Sequence, residues 1–276
     1  MPELPEVETV RRTLQTLVVG KTIERVAVGL RRIIQQPEPE SFCDALVGQT
    51  IRGIGRRGKF LRFELDELVL VSHLRMEGRY GVYNAGEPVE PHTHVIFHLD
   101  GEAELRYRDV RQFGTMHLFA KGRDLQEKPL NKLGIEPLDA QFTAQLFAQL
   151  LGPGKRTTKI KPFLLNQAFV AGLGNIYVDE ALFRAGIHPE HIAGELGEEQ
   201  ANRLHATIVE VLSEAVSAGG SSIKSYVNGQ GEMGMFQQQL YVYGRANEPC
   251  VRCGAPLLKK VVGGRGTHYC QSCQPG

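Results

Sequence analysis

The sequence predicts an α+β protein on three observations. One amphipathic helix opens the chain, a long tract alternating apolar and polar residues follows, and helical periodicity replaces that alternation after about residue 135. With 276 residues the chain is near the size at which one hydrophobic core stops growing, which favours two domains. A composition of 42% hydrophobic and 23% charged residues, with no low-complexity run, excludes a disordered or fibrous chain. No stretch approaches the roughly 20 apolar residues needed to span a bilayer. The start, Met1-Pro2-Glu3, lacks a positive segment followed by an apolar one. The expectation is a cytoplasmic protein with no membrane partner.

The opening helix is predicted from Pro5 to Gly20: Val7, Val10, Leu14 and Leu17 recur at helical spacing, Pro5 suits a first turn, and Gly20 suits the position past the end. From Thr22 to about Leu118 the period is two, in Ile23, Val26 and Val28, then Phe60 to Leu65, Leu68 to Leu74, His94 to Leu99 and Leu105 to Tyr107. Asn84-Ala85-Gly86 and Asp100-Gly101 punctuate these runs as turns. The pattern predicts an antiparallel β-domain, a sandwich or a barrel, with the helix beside it. Helices are then predicted over Phe142 to Leu151, Lys161 to Asn166, Ile176 to Ala185 and Glu198 to Val216. The Ser-, Gly- and Asn-rich tract Gly219 to Gly234 reads as a functional or mobile loop. The domains expected are 1–134, 135–235 and a short cysteine-rich unit, 240–274.

Net charge is only +1, from 32 basic and 31 acidic residues, so the whole chain carries no electrostatic sign of a nucleic-acid partner. Its distribution says more. Arg52, Arg56, Arg57, Lys59 and Arg62 form one cluster, and Lys155, Arg156, Lys159 and Lys161 another; each reads either as a local positive patch or as an ordinary solvated face. The pair Cys250-x-x-Cys253, sixteen residues, then Cys270-x-x-Cys273 has the spacing of a four-thiolate zinc ribbon. Two disulfides would need an oxidising compartment, which the missing secretion signal argues against. Four thiolates leave the ion no open position, so the zinc is expected to be structural. Between the pairs, Lys259 to Val262 and Thr267 to Cys270 form a predicted hairpin. Its turn, Gly263-Gly264-Arg265-Gly266, presents one arginine suited to phosphate.

Other motifs fail on context. Gly53-x-Gly55-x-x-Gly58 is followed by strand-like alternation where a dinucleotide fingerprint needs a helix, and Gly154-Lys155 is followed by Arg156 where a P-loop needs Ser or Thr. His92, His94 and His98 have no acidic or cysteine partner in the pattern and read as surface or satisfied histidines, and Cys43 as a small buried residue. The N-terminus carries chemistry instead. Removal of Met1 would leave Pro2 as a secondary amine, with Glu3 as a neighbouring acid. An α-amino group has a pKa of about 8 against about 10.4 for lysine, so part of it is neutral and nucleophilic at pH 7. Attack by a secondary amine on a sugar C1′ gives an iminium ion, an electron sink for elimination.

Three stretches together resemble bacterial formamidopyrimidine-DNA glycosylases: Met1-Pro2-Glu3-Leu4-Pro5-Glu6-Val7-Glu8-Thr9, the tract Asn166 to Asp179 with Gly172-Leu173-Gly174-Asn175-Ile176-Tyr177, and Val242-Tyr243-Gly244-Arg245 with the cysteine ribbon. The resemblance covers the whole chain. It implies an N-terminal helix with a two-sheet β-sandwich, a helical helix-two-turn-helix domain and a zinc-ribbon hairpin, with DNA in the cleft between the lobes. It implies a monomeric base-excision enzyme, with one structural Zn2+ and no organic cofactor. The enzyme would remove oxidised purines from double-stranded DNA, then cut the strand by β,δ-elimination. Pro2 would be the nucleophile and Glu3 the acid/base partner. Lys59 and Arg265 would hold phosphate and assist the eliminations, with Asn175 a third phosphate ligand. His92, Arg111 and Arg156 fall at DNA-binding positions, joined by His73, Lys259 and Tyr243. Met76, Arg111 and Phe113 match side chains that fill the gap left by an extruded nucleotide. Two alternatives stay open: a glycosylase for oxidised pyrimidines like endonuclease VIII, which typically has glycine where Leu4 stands, and a zinc-dependent DNA-binding protein without catalysis.

Overall fold

The computed structural model describes residues 1–221 and 235–276. They form two compact units: Met1–Asn131 with the described residues of Ala218–Met235, and Lys132–Ser217 with Phe236–Gly276.

The first unit opens with helix α1, Leu4–Val18, which has Pro5 in its first turn and buries Leu4, Val7, Val10, Leu14 and Val18. Two sheets follow. One has the order β1 (Ile23–Val28), β7 (Thr93–Leu99), β8 (Ala103–Arg108) and β6 (Arg79–Asn84), all antiparallel. The other runs β2 (Ile34–Gln36), β9 (Thr115–Ala120), β5 (Leu68–His73), β4 (Phe60–Glu64) and β3 (Gly53–Arg57). Here β2 pairs parallel with β9 and the rest are antiparallel. Neither sheet closes on itself, so the unit is a sandwich and not a barrel.

One core joins the layers. Val7, Val10 and Leu14 of α1 pack with Val95, Phe97, Leu99 and Tyr107 of the first sheet and with Leu61, Phe63, Leu70 and Met116 of the second. Helix α2, Pro39–Leu46, adds Phe42 and Leu46. Strand β7 shows why alternation located it, since Val95, Phe97 and Leu99 are buried while Ile96 and His98 are half-buried. Strands β2, β3, β6 and β9 and helix α2 were not marked by the sequence pattern. In β3, Gly-Ile-Gly-Arg-Arg buries only Ile54, and β6 is half polar, so neither writes an alternating apolar face.

The second unit holds α3 (Ala144–Leu151), α4 (Ile160–Leu165), α5 (Asn175–Ala185), α6 (Glu198–Ser217) and the hairpin β10 (Leu258–Val262) and β11 (Arg265–Tyr269). Helix α5 is buried from Ile176 through Phe183, on every face. It therefore carries Asp179 and Glu180 into the interior, and both need partners there. Among the described residues no helix is long and apolar enough to cross a membrane.

Phe97 lies between the two sheets at 1% exposure. Phe97→Ala should destabilise the first unit by about 3–5 kcal/mol. Urea unfolding measures this, and an unchanged midpoint would contradict the single shared core.

Candidate functional site

The residues singled out by sequence fall in two groups, one in each unit. In the first unit, Pro2 and Glu3 are buried while Met1 is exposed. Glu3 is the N-cap of α1 and forms a capping box with Glu6. The Glu3 N–H donates to Glu6 Oε2 at 2.8 Å. The other oxygen of Glu6 accepts from the Ser221 N–H at 2.8 Å and from its hydroxyl at 3.2 Å. A Cβ on Gly220 would come within 2.9 Å of that oxygen, and Gly220 has φ +79. The N-terminus is thus the fixed start of a helix and not a frayed end.

Lys59 follows Gly58 at the β3–β4 turn and is buried at 6% exposure. Its surroundings bear on the two readings of this basic cluster, which is ion-paired in large part. Arg52 pairs with Asp66 at 2.6 Å, Arg56 with Glu8 at 3.2 Å, and Arg62 with Asp124 at 2.6 Å. Acids distant in sequence neutralise most of that cluster. In the second cluster Lys161 is fully buried and bonded to Asp179 at 2.6 Å, and Lys159 pairs with Glu190 at 2.6 Å.

His73 ends β5 at 7% exposure, edge-on to Phe60 at 4.4 Å. Its Nδ1 accepts the Arg75 N–H at 2.9 Å, which leaves the ring proton on Nε2. Burial first, then the positive charges of Arg75 and Lys59, pull its pKa down to about 3. At neutral pH this ring offers a hydrogen-bond donor and no charge. Three residues on, Met76 stands exposed on the turn that starts with Arg75 in left-handed backbone, φ 54. Arg111 and Phe113 are exposed on the β8–β9 turn, with the guanidinium 5.1 Å from the ring centroid. His92 is exposed with φ 67, and its carbonyl accepts the Asp109 N–H at 3.0 Å.

In the second unit the four cysteine sulfurs lie within 4.8 Å of one another, with Cys253 and Cys270 at 3.5 Å and Cys250 and Cys273 at 3.8 Å. A tetrahedral ion about 2.3 Å from each sulfur sets them about 3.8 Å apart, so the donor set fits one structural zinc. Arg265 is exposed at the start of β11, immediately after a two-residue turn. Val262 pairs with Arg265 and the turn is Gly263-Gly264 alone, with φ 57 and 75, tighter than the four-residue loop expected.

The strand bearing Arg265 is held from α4 and α5. Lys161 Nζ donates to the Gly266 carbonyl at 3.1 Å, and Asn175 Nδ2 donates to the same oxygen at 2.8 Å. Asp179 accepts the His268 N–H at 2.8 Å. Asn175 and the arginine-bearing strand are thereby brought together. Lys259 faces His268 across the hairpin, and the Tyr243 ring meets His268 edge-on at 5.0 Å. Glu180 accepts the N–H groups of Tyr241, Val242 and Tyr243, each at 2.9 Å. Burial raises its pKa despite those bonds. Arg156 is held separately, its guanidinium 5.0 and 4.4 Å from the rings of Phe163 and Phe169.

Sequence reading missed the carboxylates that arrange these residues: Glu6, Asp109, Asp179 and Glu180. Asp109-x-Arg111-x-Phe113-Gly114 carried one available signal, an aspartate placed to accept N–H groups from its own turn. The loop expected over Gly219 to Gly234 lies outside the described residues from 222 to 234.

Comparison with known proteins follows the same division. Residues 1–116 match the formamidopyrimidine-DNA glycosylase N-terminal domain, 133–227 the H2TH domain of the same enzymes, and 247–276 the zinc finger found in FPG and IleRS. The chain is 65% identical over 275 residues to formamidopyrimidine-DNA glycosylase of Brevibacillus brevis, covering 99% of both chains. It is 56% identical to that of Bacillus subtilis, again over 99% of both. Among solved structures it resembles a variant of Lactococcus lactis FPG complexed with DNA containing Fapy-dG, with TM-score 0.94, 45% identity and full coverage of both chains. It also resembles Lactococcus lactis Fpg bound to DNA with an abasic site, with TM-score 0.93, 45% identity, and 99% and 100% of the two chains covered.

The depressed His73 value sets a pH dependence. The unfolded chain takes up this proton near pH 6.5 and the folded one only near about 3, so the group's contribution falls as pH drops through that window. Histidine-selective nitrogen NMR at pH 5 should show His73 as the neutral Nε2–H tautomer. A titration midpoint above 6 would overturn this reading.

Proposed function

The chain belongs to the formamidopyrimidine-DNA glycosylase family of base excision repair, and on that premise we propose that it excises 8-oxoguanine and formamidopyrimidines from double-stranded DNA through a Schiff base at Pro2, then cuts the abasic strand by β,δ-elimination. The observation that carries this reading is the N-terminus itself: Pro2 is buried at the head of α1, beside a Glu3 whose backbone is pinned by Glu6. The lesions in the related Lactococcus lactis complexes, Fapy-dG and an abasic site, correspond to the substrate and an intermediate of this scheme.

The steps follow from the residue types. With Met1 removed, the Pro2 nitrogen attacks C1′, and the glycosidic bond breaks with its electron pair leaving on the base. The sugar ring opens as Glu3 protonates O4′, and the lone pair on nitrogen forms the iminium ion. That cation makes the C2′ proton acidic, so its loss expels the 3′ phosphate. A second elimination expels the 5′ phosphate. Lys59, Arg265 and Asn175 supply donors to the phosphates, and His73 supplies a neutral one. Met76, Arg111 and Phe113 occupy the gap left by the extruded nucleotide, and His92, Arg156, Lys259 and Tyr243 complete the DNA contacts. The zinc holds the ribbon that carries Arg265 and takes no part in bond breaking. The protein acts as a monomer in the cytoplasm.

Borohydride added to the enzyme on a duplex with one 8-oxoguanine opposite cytosine should trap a covalent complex that peptide mapping places at Pro2. An N-terminal extension that blocks the amine should abolish both trapping and strand cutting while DNA affinity changes little at fixed salt. Undiminished cutting by the extended protein would refute the Schiff base. Faster excision of thymine glycol than of 8-oxoguanine would move the assignment to oxidised pyrimidines.

A further inference from the structure

Tyr107 and Asp109 are not themselves assigned to DNA, yet they lie between the two turns that carry the gap-filling side chains. Both are fully buried. The Asp109 carboxylate gathers the second turn. Its Oδ1 accepts the Arg111 N–H at 3.1 Å, and its Oδ2 accepts the N–H groups of Phe113 at 2.9 Å and Gly114 at 2.8 Å. The Asp109 carbonyl also accepts the Gln112 N–H at 3.2 Å, where the chain turns through φ 59. Every backbone donor of this turn from Arg111 to Gly114 therefore ends on Asp109.

The Tyr107 hydroxyl joins that turn to the other one. It donates to Asp109 Oδ2 at 3.4 Å. It also occupies the space left by two glycines: a Cβ on Gly114 would stand 1.7 Å from the hydroxyl oxygen, and a Cβ on Gly78 would stand 2.3 Å from it. Gly78 closes the turn bearing Arg75 and Met76, through its N–H to the Leu74 carbonyl at 2.9 Å. Burial, then the Asp109 charge, raise the pKa of Tyr107, so the hydroxyl keeps its proton. The phenol is thus wedged between two turns that allow no side chain at either contact.

We infer that Tyr107 and Asp109 are positioning residues that lock the Met76 turn and the Arg111–Phe113 turn into one rigid reader of the base opposite the lesion. The inference rests on the proposed gap-filling role of those three side chains. Its physical content is preorganisation: three exposed side chains on two turns keep one relative placement before DNA arrives, so little ordering remains to be done on binding. Opposite-base discrimination should then depend on residues that never meet the base.

The experiment measures single-turnover excision of 8-oxoguanine opposite cytosine and opposite adenine. The ratio of the two rates on one preparation cancels the fraction of folded enzyme. Asp109→Asn replaces an acceptor by an amide donor facing backbone N–H groups, and should lower the cytosine preference at least fivefold. Tyr107→Phe keeps the ring and removes the hydroxyl that joins the two turns, and should lower it in the same direction even if Asp109→Asn folds poorly. Met76→Ala combined with Tyr107→Phe should be non-additive, since the two residues act through one unit. Arg111→Ala separates this inference from its premise. If Arg111→Ala leaves the ratio unchanged, the gap-filling reading falls. If Arg111→Ala lowers it while folded Tyr107→Phe and Asp109→Asn match the parent, or if the double variant is strictly additive, the coupling falls and the gap-filling reading stands.

Discussion

Backbone donors in loops have no ladder to join, and in this protein buried carboxylates take them instead. Glu6 holds the N–H groups of Glu3 and Ser221, Asp109 holds three from its own turn, Glu180 holds three ahead of the ribbon, and Asp179 holds one in β11. A buried carboxylate without partners is costly, and so is a buried N–H, so each arrangement removes two penalties at once. Glu6, Asp109 and Glu180 each fix irregular backbone beside a side chain assigned to DNA or to chemistry, and Asp179 ties α5 to the strand that begins with Arg265. Regular strands and helices supply the scaffold, and three of these acids set the loops upon it.

The fold was legible wherever burial writes a period. Helix α1 and strands β1, β4, β5, β7 and β8 show apolar residues at the spacing their geometry demands, and the four cysteines stand at the spacing of a ribbon. Strand β3 was hidden because its side chains are largely glycine and arginine, whose contacts are ionic and distant. The charge clusters stayed ambiguous for the same reason. A run of bases does not show that Asp66, Glu8, Asp124 and Asp179 come back to meet it.

The site was legible as a set of residue types and a family likeness, but not as a mechanism of placement. Nothing local in the sequence reports that Tyr107 fills the space beside two glycines in different turns, because that fact exists only when β6, β8 and β9 are assembled. His73 gives a related lesson. The resemblance placed it among DNA-binding positions without its charge state, and its hydrogen bond from Arg75 and its burial make it a neutral donor.

The bond between Glu6 and Ser221 spans 215 positions of the chain within a single unit. The end of the protein that leaves the ribosome first therefore waits for one of the later segments before its last hydrogen bonds close. A growing chain halted before Ser221 has the sandwich sequence complete, yet the Glu6 carboxylate at the head of α1 still lacks that partner. Completion of this corner is thus tied to synthesis of the segment that holds Ser221, and chains halted before it lack the clasp that longer chains carry.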